Sequence, residues 1–124
     1  MNLADTNVVV SLLLPVRGEQ HREAVAHARE HGPLIVGESV LAESCWVLER
    51  RYRLKRTDVA SLMRGALDAQ ALTAWDPPLV DRALDLMERL PRLSVVDCLL
   101  AVRAFDGHRV FTFDRRLEKA LEQL

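Results

Sequence analysis

Cysteine is scarce in this chain: two in 124 residues, Cys45 and Cys98. They stand far apart, each inside an apolar helical run, so they are expected to be buried free thiols. That excludes a disulfide framework and a cysteine-based metal cluster. The four histidines, His21, His27, His31 and His108, do not fall at metal-ligand spacing and are expected at the surface. Net charge is -1, so no global basic field draws in nucleic acid. Lysine is nearly missing. Only Lys55 and Lys119 occur among 17 basic residues. Arginine pairs bidentately with phosphate, but genome composition explains the same bias more simply. The N-terminus has no basic leader pattern, and no apolar run is long enough to span a membrane. A cytoplasmic protein without membrane contact is expected.

What remains is an ordinary globular composition, 49% apolar and 28% charged, at a length that suits one domain, residues 1–124, with one core. No repeat, linker or low-complexity stretch interrupts it.

The opening residues, Met1 to Asn7, read as a short buried strand that delivers Asp5 to its carboxyl end and turns into a helix. That helix is expected over Asn7–Leu14, stopped by Pro15, with a turn at Val16-Arg17-Gly18. Glu19–Glu30 reads as a surface helix with small apolar residues, ended by Gly32-Pro33. Leu34-Ile35-Val36 is a candidate second strand. In Glu38 to Arg51 the residues Leu41, Cys45 and Leu48 recur at helical spacing. Arg50 to Arg56 is a basic connector. Thr57 is expected to cap a helix to Ala69. Leu72–Trp75 is a third strand candidate, and Pro77-Pro78 opens a helix to Leu90. Ser94 caps an almost wholly apolar helix, of the kind usually buried on more than one side, and Gly107 ends it. Arg109–Phe113 reads as a clear strand, and Arg115–Leu124 as a terminal helix. Strands alternating with helices imply a parallel sheet with helices on both faces, joined by right-handed crossovers.

Four acids depart from the solvated-surface pattern. Asp5 and Asp114 each follow a strand and precede a helix. They are either helix caps or carboxylates converging at the sheet's carboxyl edge, where ligands of open parallel α/β sheets bind. Asp97 stands three after Ser94, in capping-box geometry, and is expected near the core's edge. Glu43 lies between Val40 and Val47 with no base at helical contact distance. An acid held against a core needs compensation, by a metal ion or a distant arginine. Clustered carboxylates repel unless a cation is present, and an all-oxygen set suits Mg²⁺ or Mn²⁺ rather than Zn²⁺. A few carboxylates and one such ion make a common apparatus of phosphodiester hydrolysis.

Four stretches, in order, resemble the PIN-domain ribonucleases, and among them the VapC-like toxins of type II toxin–antitoxin pairs. They are Ala4-Asp5-Thr6-Asn7-Val8, Glu38-Ser39-Val40-Leu41-Ala42-Glu43, Ser94 to Ala101, and Val110-Phe111-Thr112-Phe113-Asp114. The resemblance covers nearly the whole length. It implies a three-layer α/β/α fold with a central parallel sheet of four to five short strands. In that sheet the first strand lies between the second and fourth, which sets Asp5 beside Asp114. It implies that Asp5, Glu43, Asp97 and Asp114 form a catalytic Mg²⁺ or Mn²⁺ site, with Thr6 and Thr112 supporting the acids. The implied activity is metal-dependent endonuclease cleavage of RNA, of the tRNA or ribosomal RNA class, leaving a 3′-hydroxyl. A cognate VapB-like antitoxin and a homodimer are the implied partners. Two departures stand out. Arg116 occupies a position where some relatives carry a further acid, which favours one firmly held ion. The sequence also reaches Leu124 soon after the last helix, so a final edge strand is not expected.

The remaining features have open readings. Arg50, Arg51 and Arg53 contact RNA phosphate, contact an acidic antitoxin segment, or decorate a solvated helix end. Trp46 and Trp75 are expected in the core or an interface, rather than as base-stacking platforms. One rival to the nuclease is a PIN-like module that binds RNA or protein without cleaving. Another is a phospho-receiver domain built on Asp76, for which neither lysine is well placed.

Overall fold

The computed structural model describes residues 1–14 and 18–123. The expected stop at Pro15 and part of the expected turn at 16–18 lie outside the described residues. Two compact units divide the chain, Met1–Pro77 and Pro78 onward.

In the first unit Asn2–Ala4 runs extended, and Leu3 forms a parallel bridge to Ile35. The bridge is closed by Ala4 N donating to Ile35 O at 3.0 Å and Ile35 N donating to Asn2 O at 2.6 Å. Then come α1 (Thr6–Leu13), α2 (Glu19–His31), β1 (Leu34–Val36), α3 (Glu38–Arg50), α4 (Arg56–Asp68) and β2 (Leu72–Ala74). β1 and β2 pair in parallel, with Leu34, Ile35 and Val36 opposite Leu72, Thr73 and Ala74. A parallel pair needs a long crossover, and α3 with α4 supplies it. Helix α1 is the hub: it packs on α2, α3 and α4. Its Val9, Val10, Leu12 and Leu13 are buried. On α3 the buried residues are Leu41, Ser44, Cys45 and Leu48, spaced three, one and three apart, which is a single helical stripe.

The second unit carries α5 (Pro77–Arg89), α6 (Val95–Phe105) and α7 (Arg115–Gln123). Pro77 opens α5, where its missing N–H costs nothing. Helices α6 and α7 pack together. Arg82 on α5 bonds Asp106 at 2.7 Å and lies 5.1 Å from the centre of the Phe105 ring, which ties α5 to the end of α6. After α6 the N–H groups of Gly107 and His108 return to the carbonyls of Ala104 and Arg103, both at 3.1 Å. These bonds define a Schellman motif, and Gly107 supplies its left-handed residue at φ +96°.

Helices and the short strands at 34–36 and 72–74 fall within a residue or two of where their patterning puts them. Five expectations need correction. The sheet has two strands and one bridge among the described residues, not four to five strands. Arg109–Phe113, which reads as a strand, makes no ladder there, and Phe111 and Phe113 are 85% and 91% exposed. Their rings meet edge to face at 5.1 Å instead. Aromatic and β-branched residues raise strand propensity, but the gain comes from packing on a partner. Thr57 does not cap α4. The helix starts one residue earlier, with Lys55 as the flanking residue and no side-chain cap. There the Glu49–Arg56 ion pair, at 3.1 Å and largely buried, ties the first residue of α4 to α3. Helix α6 is not buried all round. Val95, Cys98, Leu99, Ala101 and Val102 are buried, while Val96, Leu100 and Phe105 are exposed. Finally, Trp46 and Trp75 are not core residues: both are more than half exposed.

Both cysteines are buried and not joined in a disulfide, as expected. Among the described residues no helix is long and apolar enough to cross a membrane.

Candidate active site

Asp5 is the N-cap of α1. Its backbone is extended, and its Oδ1 accepts from Val8 N at 3.0 Å. The cap uses one carboxylate oxygen and fixes the side chain where the extended opening segment turns into the helix. Thr6 follows as the first helical residue, half-buried. Asp5 also borders a cleft of about 420 Å³ beside α1 and α2, whose polar lining includes Asn7, Ser11, Gln20, Glu23 and His27. His27 there bonds Asn2 Oδ1 at 2.8 Å, and His21 Nδ1 lies 3.1 Å from the Ser11 carbonyl oxygen. These two histidines brace α2 against the segments beside it.

Glu43 sits on the exposed face of α3. The expectation that it is held against the core is corrected. Val40 and Val47 flank it at helical spacing but are only half-buried. The buried stripe is centred on Leu41, Cys45 and Leu48, well round the helix from Glu43. The carboxylate therefore carries no burial cost for an ion to offset, and it is accessible to one.

In the second unit, Ser94 caps α6 by accepting from Asp97 N at 3.1 Å. That leaves the half-buried Asp97 in the first turn, with its carboxylate at the positive end of the helix. Asp114 stands immediately before α7. Its Oδ1 accepts from Arg116 N at 2.8 Å, its carbonyl accepts from Glu118 N at 3.0 Å, and its own N–H donates to Thr112 Oγ1 at 3.0 Å. Thr112 thus orients Asp114. Arg116 meets Asp114 through its backbone, with an exposed guanidinium.

Three of the four acids thus stand at or within the first turn of a helix, where orphan N–H groups and the helix dipole favour anions. The capping and functional readings coexist, because a capping carboxylate keeps its second oxygen. Asp5 and Glu43 belong to the first unit, and Asp97 and Asp114 to the second. Among the described residues no group of three or more His, Cys, Asp or Glu side chains lies close enough to hold a metal ion. The donor chemistry fits a hard cation even so, since all four groups are accessible or half-buried carboxylates. Trp46, which the sequence reading puts in the core or an interface and not at a base-stacking platform, shares the exposed face of α3 with Glu43. The signal was its spacing, three residues after Glu43 and off the Leu41–Cys45–Leu48 stripe.

Two short parallel strands joined by a helix pair, with Asp5, Asp97 and Asp114 where helices begin, define a helix-rich α/β protein. The chain belongs to the PIN domain family, whose profile matches residues 3–122 and so runs across both units. PIN domains are generally nucleases, which supports a nuclease in general for this chain. No curated protein and no solved structure gives a match.

Proposed function

We propose that the protein is a Mg²⁺- or Mn²⁺-dependent endoribonuclease, acting as a VapC-like toxin on tRNA or ribosomal RNA and neutralised by a cognate VapB-like antitoxin. The observation behind this reading is the family match over residues 3–122 in a chain that has an acid in each of the four motif stretches. Asp5, Glu43, Asp97 and Asp114 would hold the ion. When bound, it lowers the pKa of water and offsets phosphate charge.

The chain's own residues do the rest. Cap hydrogen bonds fix Asp5 and Asp114 and leave one oxygen of each carboxylate for a ligand. Thr112 positions Asp114 through its backbone N–H. Exposed arginines, Arg50, Arg51, Arg53 and Arg116, meet phosphate and set the strand's register. Hydrolysis adds water across a P–O bond and expels the 3′-oxygen, leaving a 3′-hydroxyl and a 5′-phosphate. A homodimer in the cytoplasm and an antitoxin that blocks the acids complete the reading.

The test is cleavage by purified protein beside Asp5→Asn and Asp97→Asn. Loss of cleavage in both, with folding intact, supports the assignment; undiminished cleavage refutes it. Arg116, a cation where some relatives place an acid, favours a second reading, an RNA-binding module without cleavage. Tight RNA binding with no Mn²⁺-dependent product would select that reading.

A further inference from the structure

Helix α3 has four exposed residues before its last turn closes: Ser39, Glu43, Trp46 and Arg50. Spaced four, three and four apart, they fall within an arc of about 60° on an ideal helix. They therefore form one stripe along its length. Trp46 stands about 4.5 Å along the axis from Glu43, and Arg50 about 10.5 Å, at 1.5 Å per residue. The indole is 53% exposed, although the same helix has an apolar stripe that could have taken it. Beyond Arg50 lie Arg51, the half-exposed Tyr52 and Arg53. Glu49, the acid nearest these cations in sequence, is engaged by Arg56. Arg50, Arg51 and Arg53 have no ion-pair partner among the described residues.

Arg53 adds an independent observation. It holds φ +57°, in the left-handed region, and the turn there returns Leu54 N to Leu48 O at 3.1 Å. Glycine adopts that conformation without strain. A long cationic side chain is kept there at a conformational cost, as happens at functional positions.

We infer that this stripe is a track for single-stranded RNA: Trp46 stacks on a base next to the scissile phosphate, and Arg50 and Arg53 meet the phosphates that follow. An accessible aromatic ring with cations beyond it is the pairing by which single strands are held. Strand charge complements the three free guanidiniums. At about 3.4 Å per stacked nucleotide, the distance from Glu43 to Arg50 covers about three nucleotides. The inference rests on the nuclease reading only for where the scissile phosphate lies. Trp46 is a positioning residue, not a catalytic one.

The experiment measures binding of a fluorescein-labelled single-stranded RNA oligonucleotide in EDTA, by anisotropy, with Trp46→Ala, Trp46→Phe, Arg53→Gly and the unaltered chain. Stacking on one aromatic side chain predicts that Trp46→Ala weakens binding by about tenfold. Trp46→Phe regains most of the loss. Arg53→Gly weakens binding while raising the Tm, which separates loss of the cation from loss of fold. In cleavage assays with Mn²⁺, Trp46→Ala raises KM and leaves kcat near its starting value, and Mn²⁺ affinity does not move. Equal RNA affinity for Trp46→Ala and the unaltered chain, with equal Tm, overturns the track even if cleavage proceeds. Loss of dimer in Trp46→Ala with RNA affinity unchanged also overturns it and makes the face a contact between copies. Trp46-dependent binding without any cleavage product keeps the track and sinks the nuclease instead.

Discussion

Asp5 has an observed role as N-cap and a proposed one in the nuclease, and substitutions can separate them. As N-cap it accepts from Val8 N, and asparagine caps a helix about as well as aspartate. Asp5→Asn is therefore expected to keep stability within about 0.5 kcal/mol while abolishing metal-dependent cleavage. Asp5→Ala removes the cap as well and costs about 1 kcal/mol. Thermal unfolding of the two variants beside an RNA cleavage assay checks both statements. A large drop in Tm for Asp5→Asn would show that the negative charge itself is structural. Ser44 makes the opposite case. Its hydroxyl is fully buried on α3, next to Glu43, with no hydrogen-bond partner among the described residues. A buried, unsatisfied hydroxyl carries a desolvation penalty, so Ser44→Ala is expected to raise stability by about 1 kcal/mol. Urea denaturation would measure it, and destabilisation would mean that the hydroxyl has a partner after all.

At the scale of elements, helices were the most legible part of the sequence. Their signals are local: the Leu41–Cys45–Leu48 stripe, the Ser94 cap and the glycine after α6 each act within a turn or two of chain. Gly107 shows how local, since its φ of +96° is what closes the Schellman motif. Gly107→Ala is expected to cost about 1 kcal/mol, read as a lower midpoint in urea with an unchanged slope. An unchanged midpoint would mean that the motif contributes nothing to stability. Strands were less legible, because a strand is a relation between segments. Leu34–Val36 and Leu72–Ala74 found each other. Arg109–Phe113 is richer in β-branched and aromatic residues than either, and no ladder forms on it among the described residues. Nor does sequence periodicity say which side of a helix meets solvent at its margins. Glu43 lies between two valines, and the true core stripe runs elsewhere on α3.

For the whole molecule, the site was legible as a set of residue types and not as a geometry. Asp5, Asp97 and Asp114 were marked by position, each where a helix begins, and the structure places all three there. Asp5 and Glu43 lie in one unit and Asp97 and Asp114 in the other, and no local pattern encodes a relation between residues so far apart in sequence. If the acids hold an ion, its binding is linked to folding. Millimolar Mn²⁺ is then expected to raise the Tm by a few degrees. Asp97→Asn protein, whose Ser94 cap bond runs through its backbone N–H, should lose that shift and keep its metal-free Tm. An equal shift in both proteins would place Mn²⁺ elsewhere on the chain.

The most direct test of the central claim is cleavage of total bacterial RNA by the purified protein. It is run with Mg²⁺, Mn²⁺ or EDTA, beside folded Asp97→Asn. Discrete fragments with 3′-hydroxyl ends, formed with either metal and absent with EDTA and with Asp97→Asn, are the predicted result. Fragments that persist in EDTA or in the variant would contradict a nuclease that works through a carboxylate-held ion.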